Sequence, residues 1–293
     1  MTEREKNSKL EELEIDLLLS AVHRYYGYDF RDFEPGTVRL RIREAMLASR
    51  VPTISRFQDK LLRKSSLFER FLRSFASANP GMFSDTGFYR DFRTKIVPQL
   101  KTYPFVRIWQ AGCSTGELVY SVAILLKEEG LYERSRIYAT DLSEEVVRQA
   151  RLGVFRSSVA EQYAADYLEA GGKGSFEDYF TRKGNRLFID PSLKRNIVFS
   201  EHNLATDGSF NEFQVIVCRG VLGGFNNRLR ERVDRLIYDS LSRFGILALG
   251  PSESLETTAY EDRYELMDET SRLYQKNGSG QGRKLVGVER KRG

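Results

Sequence analysis

The sequence is poor in the residues that build disulfide frameworks and zinc centres. Its 293 residues include two cysteines, Cys113 and Cys218, and two histidines, His23 and His202. Two cysteines cannot form a disulfide framework, and so few thiol and imidazole groups argue against a zinc centre. We therefore expect no metal site, and we interpret both cysteines as packing residues at strand ends.

Long apolar runs are also absent. No segment approaches the roughly 20 consecutive apolar residues that a membrane helix requires. Residues 1–14, MTEREKNSKLEELE, are highly charged and lack the apolar core of a signal peptide. We therefore expect a cytoplasmic protein that does not insert into a membrane.

Neither sign of charge dominates the composition. Hydrophobic residues make up 41% and charged residues 30% of the chain, which is typical of a globular protein rather than a disordered one. The net charge of +5 permits an acidic partner. The sequence lacks the dense patch of lysine, arginine and aromatic residues that dedicated nucleic-acid binding requires, so we expect no nucleic-acid partner.

Helical patterns run through residues 8–77. The apolar residues that recur at helical spacing in the first helix are Leu10, Leu13, Leu17 and Ala21. This helix ends at Gly27, and a second helix follows the FEPGT segment, with Thr37 as a candidate cap. Further helices are predicted around 55–77 and 86–100.

The basic residues of the second helix are not scattered. Arg39, Arg43 and Arg50 share one face, because they stand at the helical spacings i, i+4 and i+11. One interpretation is a solvated face. The other is a docking surface for an acidic helical partner, and the sequence alone does not choose between them.

From Pro104 onward, strands alternate with helices. The predicted strands lie in the segments FVRIW, SRIYATD, NIVFSEHN, EFQVIVC and GILALG. The alternation predicts βαβ crossovers and a mostly parallel sheet with helices on both faces. Residues 171–190 interrupt the pattern and suggest a small antiparallel insertion, and residues 283–290 are a candidate last strand.

Three predicted strand ends carry residues suited to ligand binding, because ligands of open α/β sheets bind beyond the carboxyl ends of the strands. Gly112 and Gly116 let backbone N–H groups face an anion at a helix N-terminus. Asp141 is placed to accept hydrogen bonds from ribose hydroxyls; alternatively, Asp141 and Ser143 cap the next helix. Asn203 is either a ligand contact or a turn former.

The fourth strand, at 215–218, runs into a loop with almost no side chains. Gly220, Gly223 and Gly224 fall within five positions. Glycine lets the backbone approach a ligand closely, yet chemistry needs side chains. The loop is therefore either a site built from backbone or a site that has lost its side chains.

Five segments occur together in an order that carries a family resemblance. They read RLRIREAML, FVRIWQAGCSTGELVYSVAILL, IYATDLSEEVVRQARLGVF, NIVFSEHNLATDGSFNEFQVIVCR and GPSESL. With these segments the chain resembles the chemotaxis receptor methyltransferases, the CheR family, from its N-terminal helices to about residue 275.

The resemblance implies an α/β fold in two parts. Residues 1–88 would form an N-terminal helical domain and linker, and residues 89–293 a Rossmann-like S-adenosylmethionine (SAM)-dependent methyltransferase domain. A small β-subdomain would be inserted at about 152–195. The implied reaction is methyl transfer from SAM to glutamate carboxylates on helical bundles. The implied partner is a chemoreceptor cytoplasmic domain or another signalling protein.

Several positions match the family's cofactor-binding residues. They belong to the Ala-Gly-Cys-Ser-Thr-Gly-Glu turn, the acidic end of the second strand and the Asn-Leu pair near the adenine. The resemblance therefore implies contacts to SAM or to its product S-adenosylhomocysteine (SAH). These contacts come from Gly112, Gly116, Glu117, Asp141, Asn203 and Leu204.

Other positions depart from the family's motifs. The family's Asn-x-Thr-x-x-Phe-Arg linker has Ala78, Pro80 and Ser84 at its Asn, Thr and Arg positions. The family's Cys-Arg-Asn-Val-x-Ile-Tyr-Phe motif reads CRGVLGGF here, with Gly220 for Asn and Gly224 for Tyr. The chain is thus predicted to be a divergent member in which no family catalytic position is confidently retained.

These departures predict weakened catalysis. An arginine orients a carboxylate with two parallel donors, whereas Ser84 is short and Gly224 has no side chain. Losing two or three such contacts, each about 1.5–3 kcal/mol, predicts a rate drop on the order of a hundredfold or more. The residues that could compensate are Arg90, Arg93 and Arg219.

Three functions stay open from the sequence. The preferred one is a CheR-like protein of a chemosensory or related signalling pathway whose catalysis is weakened or lost. Such a pseudoenzyme would act by binding SAM or SAH and a protein partner. The alternative is an active SAM-dependent protein-glutamate O-methyltransferase that modifies chemoreceptors. The third is a nucleotide-binding regulator that has reused the pocket for another ligand.

Overall fold

A computed structural model describes residues 2–75 and 81–278. Ala78, Pro80 and the predicted strand at 283–290 lie outside the described residues. The helices in chain order are α1 (Glu3–Tyr26), α2 (Pro35–Ala48), α3 (Ile54–Arg63), α4 (Ser65–Arg73), α5 (Thr86–Asp91), α6 (Val97–Leu100), α7 (Glu117–Glu128), α8 (Glu144–Leu152), α9 (Ala160–Glu169) and α10 (Asn227–Ser240). The strands in chain order are β1 (Val106–Ala111), β2 (Ser135–Asp141), β3 (Val154–Arg156), β4 (Phe180–Lys183), β5 (Arg186–Ile189), β6 (Ile197–Glu201), β7 (Phe213–Cys218), β8 (Leu241–Leu249), β9 (Tyr264–Asp268) and β10 (Leu273–Lys276).

The N-terminal region is helical, as its sequence predicts. Helix α1 ends at Gly27, whose φ of +82° closes the helix in a conformation that favours glycine. Helix α2 begins at Pro35, whose fixed φ suits the first helical position. Thr37 therefore lies inside the first turn of α2, and its prediction as the cap is wrong.

The leucines that recur at helical spacing in α1 do not form its buried face. Leu10, Leu13 and Leu17 are each more than half exposed. Leu18 and Val22 are fully buried instead, on the side that packs against α3. Several stripes at helical spacing coexist in a leucine-rich helix, and only its neighbours decide which one is buried.

Within the described residues, the main sheet has seven strands in the order β6-β2-β1-β7-β8-β10-β9. Strands β6, β2, β1, β7 and β8 run parallel, and β9 and β10 add an antiparallel edge. The chain order reverses between β1 and β7, which makes this edge of the sheet the expected ligand site. The predicted Rossmann-like sheet is confirmed.

A second, three-stranded antiparallel sheet has the order β3-β5-β4. Helix α9 lies between β3 and β4 in the chain, so the insertion contains a helix as well as strands. The small inserted sheet was expected and is confirmed. The residue limits given for it, and the boundary between residues 88 and 89, stay predictions.

Two apolar clusters cover the two faces of the main sheet. Along β1, Val106 and Ile108 join the cluster that contains α5, α7 and the small sheet. Trp109 and Ala111 point the other way and join the cluster that contains α1 to α4 and α10. Trp109 is fully buried, and its indole N–H donates to Thr140 Oγ1 at 2.8 Å.

Backbone hydrogen bonds tie the start of α2 to the loop after β7. The N–H of Glu34 donates to the carbonyl of Gly224 at 2.9 Å, and the N–H of Asn226 donates to the carbonyl of Asp32 at 3.0 Å. The helical region therefore reaches the carboxyl edge of the sheet. None of the helices in residues 2–75 and 81–278 combines the length and the apolar character that crossing a bilayer demands.

Candidate functional site

A cavity of about 330 Å³ lies at the carboxyl ends of the parallel strands. Gly112 follows β1, Asp141 ends β2, Asn203 follows β6 and Gly220 follows β7, and all four line the cavity. Small-molecule sites typically measure about 300–1,000 Å³. The N-terminal helical region also contributes to the cavity wall. The four lining residues from this region are Phe33, Thr37, Arg41 and Phe75.

Four of the six predicted cofactor residues line this cavity: Gly112, Asp141, Asn203 and Leu204. Gly116 and Glu117 lie at the start of α7 instead. Glycine is needed at 116, because its φ is +99° and a Cβ there would come within 3.2 Å of Ala150. Glu117 is nearly buried, and its Oε2 accepts from Thr115 Oγ1 at 2.7 Å.

Asp141 joins two loops of the site. Its Oδ2 accepts from the N–H of Ser114 at 2.9 Å and its Oδ1 from the N–H of Leu142 at 2.8 Å. Burial raises the pKa of the carboxyl above its usual value, and these N–H donors oppose the rise. Ser143, not Asp141, caps α8, since its hydroxyl accepts from the N–H of Val146. Each carboxylate oxygen has a second lone pair, so Asp141 can still accept from a ligand hydroxyl.

Asn203 forms the turn after β6. Its Oδ1 accepts from the N–H of Ala205 at 2.9 Å, and its own N–H donates to Asp207 Oδ2 at 2.9 Å. The side chain is thus a turn former that also lines the cavity. The two interpretations of this residue therefore do not exclude each other. His202, next to it, packs its ring 5.2 Å from the ring of Trp109.

The glycine loop (residues 220–225) is organised by a side chain from another segment. Glu253 is almost fully buried. Its Oε1 accepts from the N–H groups of Val221 and Leu222 at 2.8 and 2.7 Å, and its Oε2 from those of Gly220 and Gly250 at 3.0 and 2.7 Å. These donors hold the Glu253 carboxylate, so they do not face the cavity as an anion site. Gly220 has a φ of +71°, which favours glycine, whereas a Cβ at Gly223 would meet no atom within 4 Å.

Arg219 was predicted as one of the residues that could compensate for the missing arginine and tyrosine of the family. Its guanidinium instead binds groups of the protein itself. Its guanidinium donates to the carboxylate of Asp85 and to the carbonyls of Leu249 and Ser271, and it lies 4.2 Å from the ring centre of Phe88. Burial lowers its pKa from the usual arginine value, although Asp85 opposes this. Arg219 is a structural cation that joins α5 to the sheet.

Arg90 and Arg93 also lie away from the cavity. Arg90 is exposed and faces Glu169 at 3.9 Å. Arg93 is buried and pairs with Glu128 and Glu129. Ser84 donates its hydroxyl to the carbonyl of Gly81 at 3.3 Å. Within residues 2–75 and 81–278, the cavity wall includes none of these three arginines, nor Ser84.

The predicted basic face is partly neutralised. Glu11 of α1 lies 2.9 Å from Arg43 Nη2 and 3.7 Å from Arg39 Nε. Helix α2 ends at Ala48, so Arg50 stands in the following turn with a φ of +51° rather than on the helix. Arg39 and Arg43 share one helix face as predicted, and Arg50 does not continue it.

Sequence reasoning missed two charged residues of the site, Arg41 and Glu253. Arg41 was overlooked because it is offset by two positions from Arg39 and Arg43 and points to another side of α2. Glu253 stands in the GPSESL segment, whose family likeness was noted without a role for its glutamate. A search for metal ligands finds no group of three or more His, Cys, Asp or Glu side chains in the described part of the chain.

Two family descriptions match the chain. Residues 13–76 match "CheR methyltransferase, all-alpha domain", and residues 81–272 match "CheR methyltransferase, SAM binding domain".

Full-length relatives agree with these matches. Cher3 of Pseudomonas putida, which is named as a methyltransferase, is 38% identical over 266 residues, covering 91% of this chain and 97% of its own. A chemotaxis protein methyltransferase of Listeria innocua is 26% identical over 236 residues, covering 80% of this chain and 87% of its own.

Among solved structures, a SAM-bound amino pentose methyltransferase of Micromonospora echinaspora, CalS10, aligns with a TM-score of 0.34 at 12% identity, covering 57% of this chain and 52% of its own.

Proposed function

Because the chain belongs to the CheR methyltransferase family, we propose that it transfers the methyl group of SAM to glutamate carboxylates of a chemoreceptor cytoplasmic domain. The observation that carries this proposal is the cavity at the carboxyl ends of β1, β2, β6 and β7. It joins Gly112, Asp141, Asn203 and Leu204 to a wall from the helical region. A cytoplasmic location follows from the proposed partner domain.

The residues of the cavity suit an adenosyl group. Asp141 retains lone pairs for the ribose hydroxyls, and Leu142 and Leu204 offer apolar contact for a base. Bound SAM supplies a methyl group on a positively charged sulfur. One oxygen of the acceptor carboxylate forms a bond to that carbon while the carbon–sulfur bond breaks, and the products are a methyl ester and SAH. The protein's task is to hold the two partners in line.

An active enzyme is favoured over the weakened or inactive protein that Ser84, Gly220 and Gly224 suggested. Two relatives that match most of this chain's length are named as methyltransferases. Loss of the family's arginine and tyrosine argues against activity only if no other group replaces them. Binding of SAM or SAH and a partner without transfer remains the competing outcome.

Methyl transfer decides between these functions. The assay incubates the purified chain with tritium-labelled SAM and a soluble chemoreceptor fragment that carries glutamate methylation sites. We expect base-labile label on the fragment, at a rate within the usual enzyme range of about 1 s⁻¹ or more. Binding of SAH without label would support the pseudoenzyme, and binding of neither ligand would refute both.

The Asp141→Asn variant is expected to bind SAH about 10- to 100-fold more weakly, as one or two charge-assisted hydrogen bonds of about 1.5–3 kcal/mol are lost. The new amide group would also turn a donor towards the N–H of Ser114 or Leu142. Calorimetric titration with SAH measures the effect. Glu144→Gln, in the exposed first turn of α8, is the matched control. Unchanged SAH affinity in Asp141→Asn would remove Asp141 from the cofactor site.

Reversal of the basic face tests the proposed docking surface. Changing Arg39, Arg43 and Arg50 to glutamate should abolish capture of the receptor fragment, because an acidic partner would then meet repulsion. SAH affinity should be unchanged. Arg63→Glu, an exposed position on α3, controls for the charge change. Capture that survives the triple reversal would support the solvated-face interpretation.

A further inference from the structure

Two glycines of the glycine loop are not required by its backbone. Unlike Gly220, neither Gly223 nor Gly224 has a positive φ. A Cβ at Gly223 would meet no atom within 4 Å, and a Cβ at Gly224 would lie 3.8 Å from Thr37 Cγ2, which is an ordinary contact. Backbone conformation and packing thus leave both positions open to larger residues. Both glycines line the cavity, so what they provide there is space.

The space beside these glycines has an aromatic border. Phe33, Phe75 and Phe225 line the same cavity. The ring centre of Phe33 lies 5.1 Å from that of Phe225 and 5.4 Å from that of Phe75, so the three rings are in contact. We call this part of the wall, formed by Gly223, Gly224 and the three phenylalanines, the loop recess. An apolar recess favours an alkyl group, because burying one methylene strengthens binding about fourfold.

The loop recess and the proposed adenosyl contacts lie on different sides of the cavity. Asp141 and Leu142 stand at the end of β2, and Asn203 and Leu204 follow β6. In the sheet, β2 and β6 lie on one side of β1 and β7 lies on the other, and the glycine loop follows β7. An adenosyl group held on the β2 and β6 side leaves the β7 side to the sulfur and its substituents.

We propose that the loop recess accepts S-alkyl groups larger than methyl, so that this protein binds sulfonium cofactors of the SAM type that carry chains such as propyl. Gly224 is the residue that sets this selectivity. The family's motif has a tyrosine at this position, and the volume of a tyrosine ring would take up space that the glycine leaves open. The inference rests on the proposed function, which places the adenosyl group in this cavity.

Transfer of a larger group would follow the same displacement as methyl transfer. One oxygen of the acceptor carboxylate forms a bond to the alkyl carbon attached to sulfur. The carbon–sulfur bond breaks, its electron pair goes to sulfur, and the products are an alkyl ester and SAH. A saturated propyl group reacts more slowly than methyl, because its second carbon hinders the approaching oxygen. Binding therefore measures the recess more directly than turnover does.

A size series at position 224 tests the proposal by binding alone. SAM and its S-propyl analogue are titrated, without acceptor, into the wild type, Gly224→Ala, Gly224→Leu and Gly224→Tyr. We expect the wild type to bind the analogue at least as tightly as SAM. In Gly224→Tyr the affinity for the analogue relative to SAM should fall by about tenfold or more, because the ring and the propyl chain compete for one space.

The smaller substitutions grade the effect. Gly224→Ala should keep the wild-type ratio of the two affinities within about twofold, since its Cβ makes only ordinary contacts. Gly224→Leu should give a ratio between those of Gly224→Ala and Gly224→Tyr.

Gly208→Tyr is the matched control, because it adds the same ring outside the recess. A Cβ at Gly208 meets no atom within 4 Å, and Gly208 does not line this cavity. Its ratio of affinities should equal that of the wild type. Circular dichroism of each variant verifies that it is folded.

Each result bears on a separate statement. A wild type that binds SAM more than about threefold more tightly than the S-propyl analogue would overturn the proposal. A wild-type ratio of affinities in both Gly224→Leu and Gly224→Tyr would overturn it too. The expected series in a protein that transfers no methyl to the receptor fragment would refute the proposed activity and leave the recess standing. A wild type that binds neither SAM nor the analogue would refute both.

Discussion

Replacing Glu253 by alanine is expected to lower the free energy of unfolding by about 3–5 kcal/mol, because each buried donor that loses its partner costs about 1–3 kcal/mol. The carboxylate accepts from four backbone N–H groups, those of Gly220, Val221, Leu222 and Gly250. Because Glu253 lines the cavity, water can reach part of the vacated space, which keeps the cost below the sum of four separate losses. Urea unfolding followed by circular dichroism measures the effect.

The same substitution should abolish measurable SAH binding. The glycine loop lies between the strand ends and α2, and Glu253 accepts from the N–H groups of Gly220, Val221 and Leu222 in that loop. Glu256→Ala is the matched control, since Glu256 is exposed three positions further on and forms a surface pair with Arg272 at 3.4 Å. We expect that control to change stability by less than about 0.5 kcal/mol. A Glu253→Ala protein with wild-type stability and SAH affinity would show that the Glu253 carboxylate does not hold the glycine loop in place.

Replacing Arg93 by alanine is expected to cost about 3–5 kcal/mol of folding free energy, because it removes the cation that pairs with the buried Glu128 carboxylate. Glu129 keeps its pair with Lys173 Nζ at 2.7 Å. Arg93 Nη1 lies 2.9 Å from Glu129 Oε1, and Nη2 pairs with Glu128. The side chains of all three are less than 10% exposed. Arg93 Nε also donates to the carbonyl of Ala170 at 3.3 Å, so the cluster joins the π-helical segment Phe92–Ile96 to α7 and to the inserted region.

The control for Arg93 is Arg90→Ala. Arg90 stands one turn earlier, is exposed and faces Glu169 at 3.9 Å, so its loss should change stability by less than about 1 kcal/mol. Equal effects of the two substitutions in urea unfolding would show that the buried cluster contributes no more than a surface pair.

The Arg93 cluster also predicts an acid-sensitive contribution to stability. Burial alone would raise the pKa of Glu128. The hydrogen bonds from Tyr167, the N–H of Lys173 and Arg93 outweigh burial and hold that pKa below its usual value. A carboxyl with a lowered pKa in the folded state stabilises the fold above the pKa of the unfolded chain, about 4.3 for glutamate. This stability is lost as the pH falls through the folded-state pKa. In Arg93→Ala the folded-state pKa of Glu128 should rise, so less stability is lost on acidification than in the wild type.

Local sequence patterns predicted the N-terminal helical region and the parallel strands, but not α9, β9 or β10. Gly27 ends α1 where the pattern stops, and the predicted strands of the main sheet are formed. The hydrophobic repeat of a strand or a helix involves residues that are close together in the chain, so the sequence alone reveals it. Thr37 failed as a cap because Pro35 can start a helix two positions earlier. The leucine spacing of α1 predicted the helix but not its buried face, because burial depends on which neighbour packs against the helix.

The sequence by itself determined the α/β class, the family resemblance and which residues follow each parallel strand. Gly112, Asp141 and Asn203 could be named in advance because parallel strands bring their carboxyl ends to one edge. Only the tertiary structure decided which charged groups reach that edge. Glu253 lies 31 to 33 positions from the three loop residues whose N–H groups donate to it, and Arg41 lies about 180 positions from Gly224. No periodicity links such distant segments, because their contact depends on how two apolar faces pack.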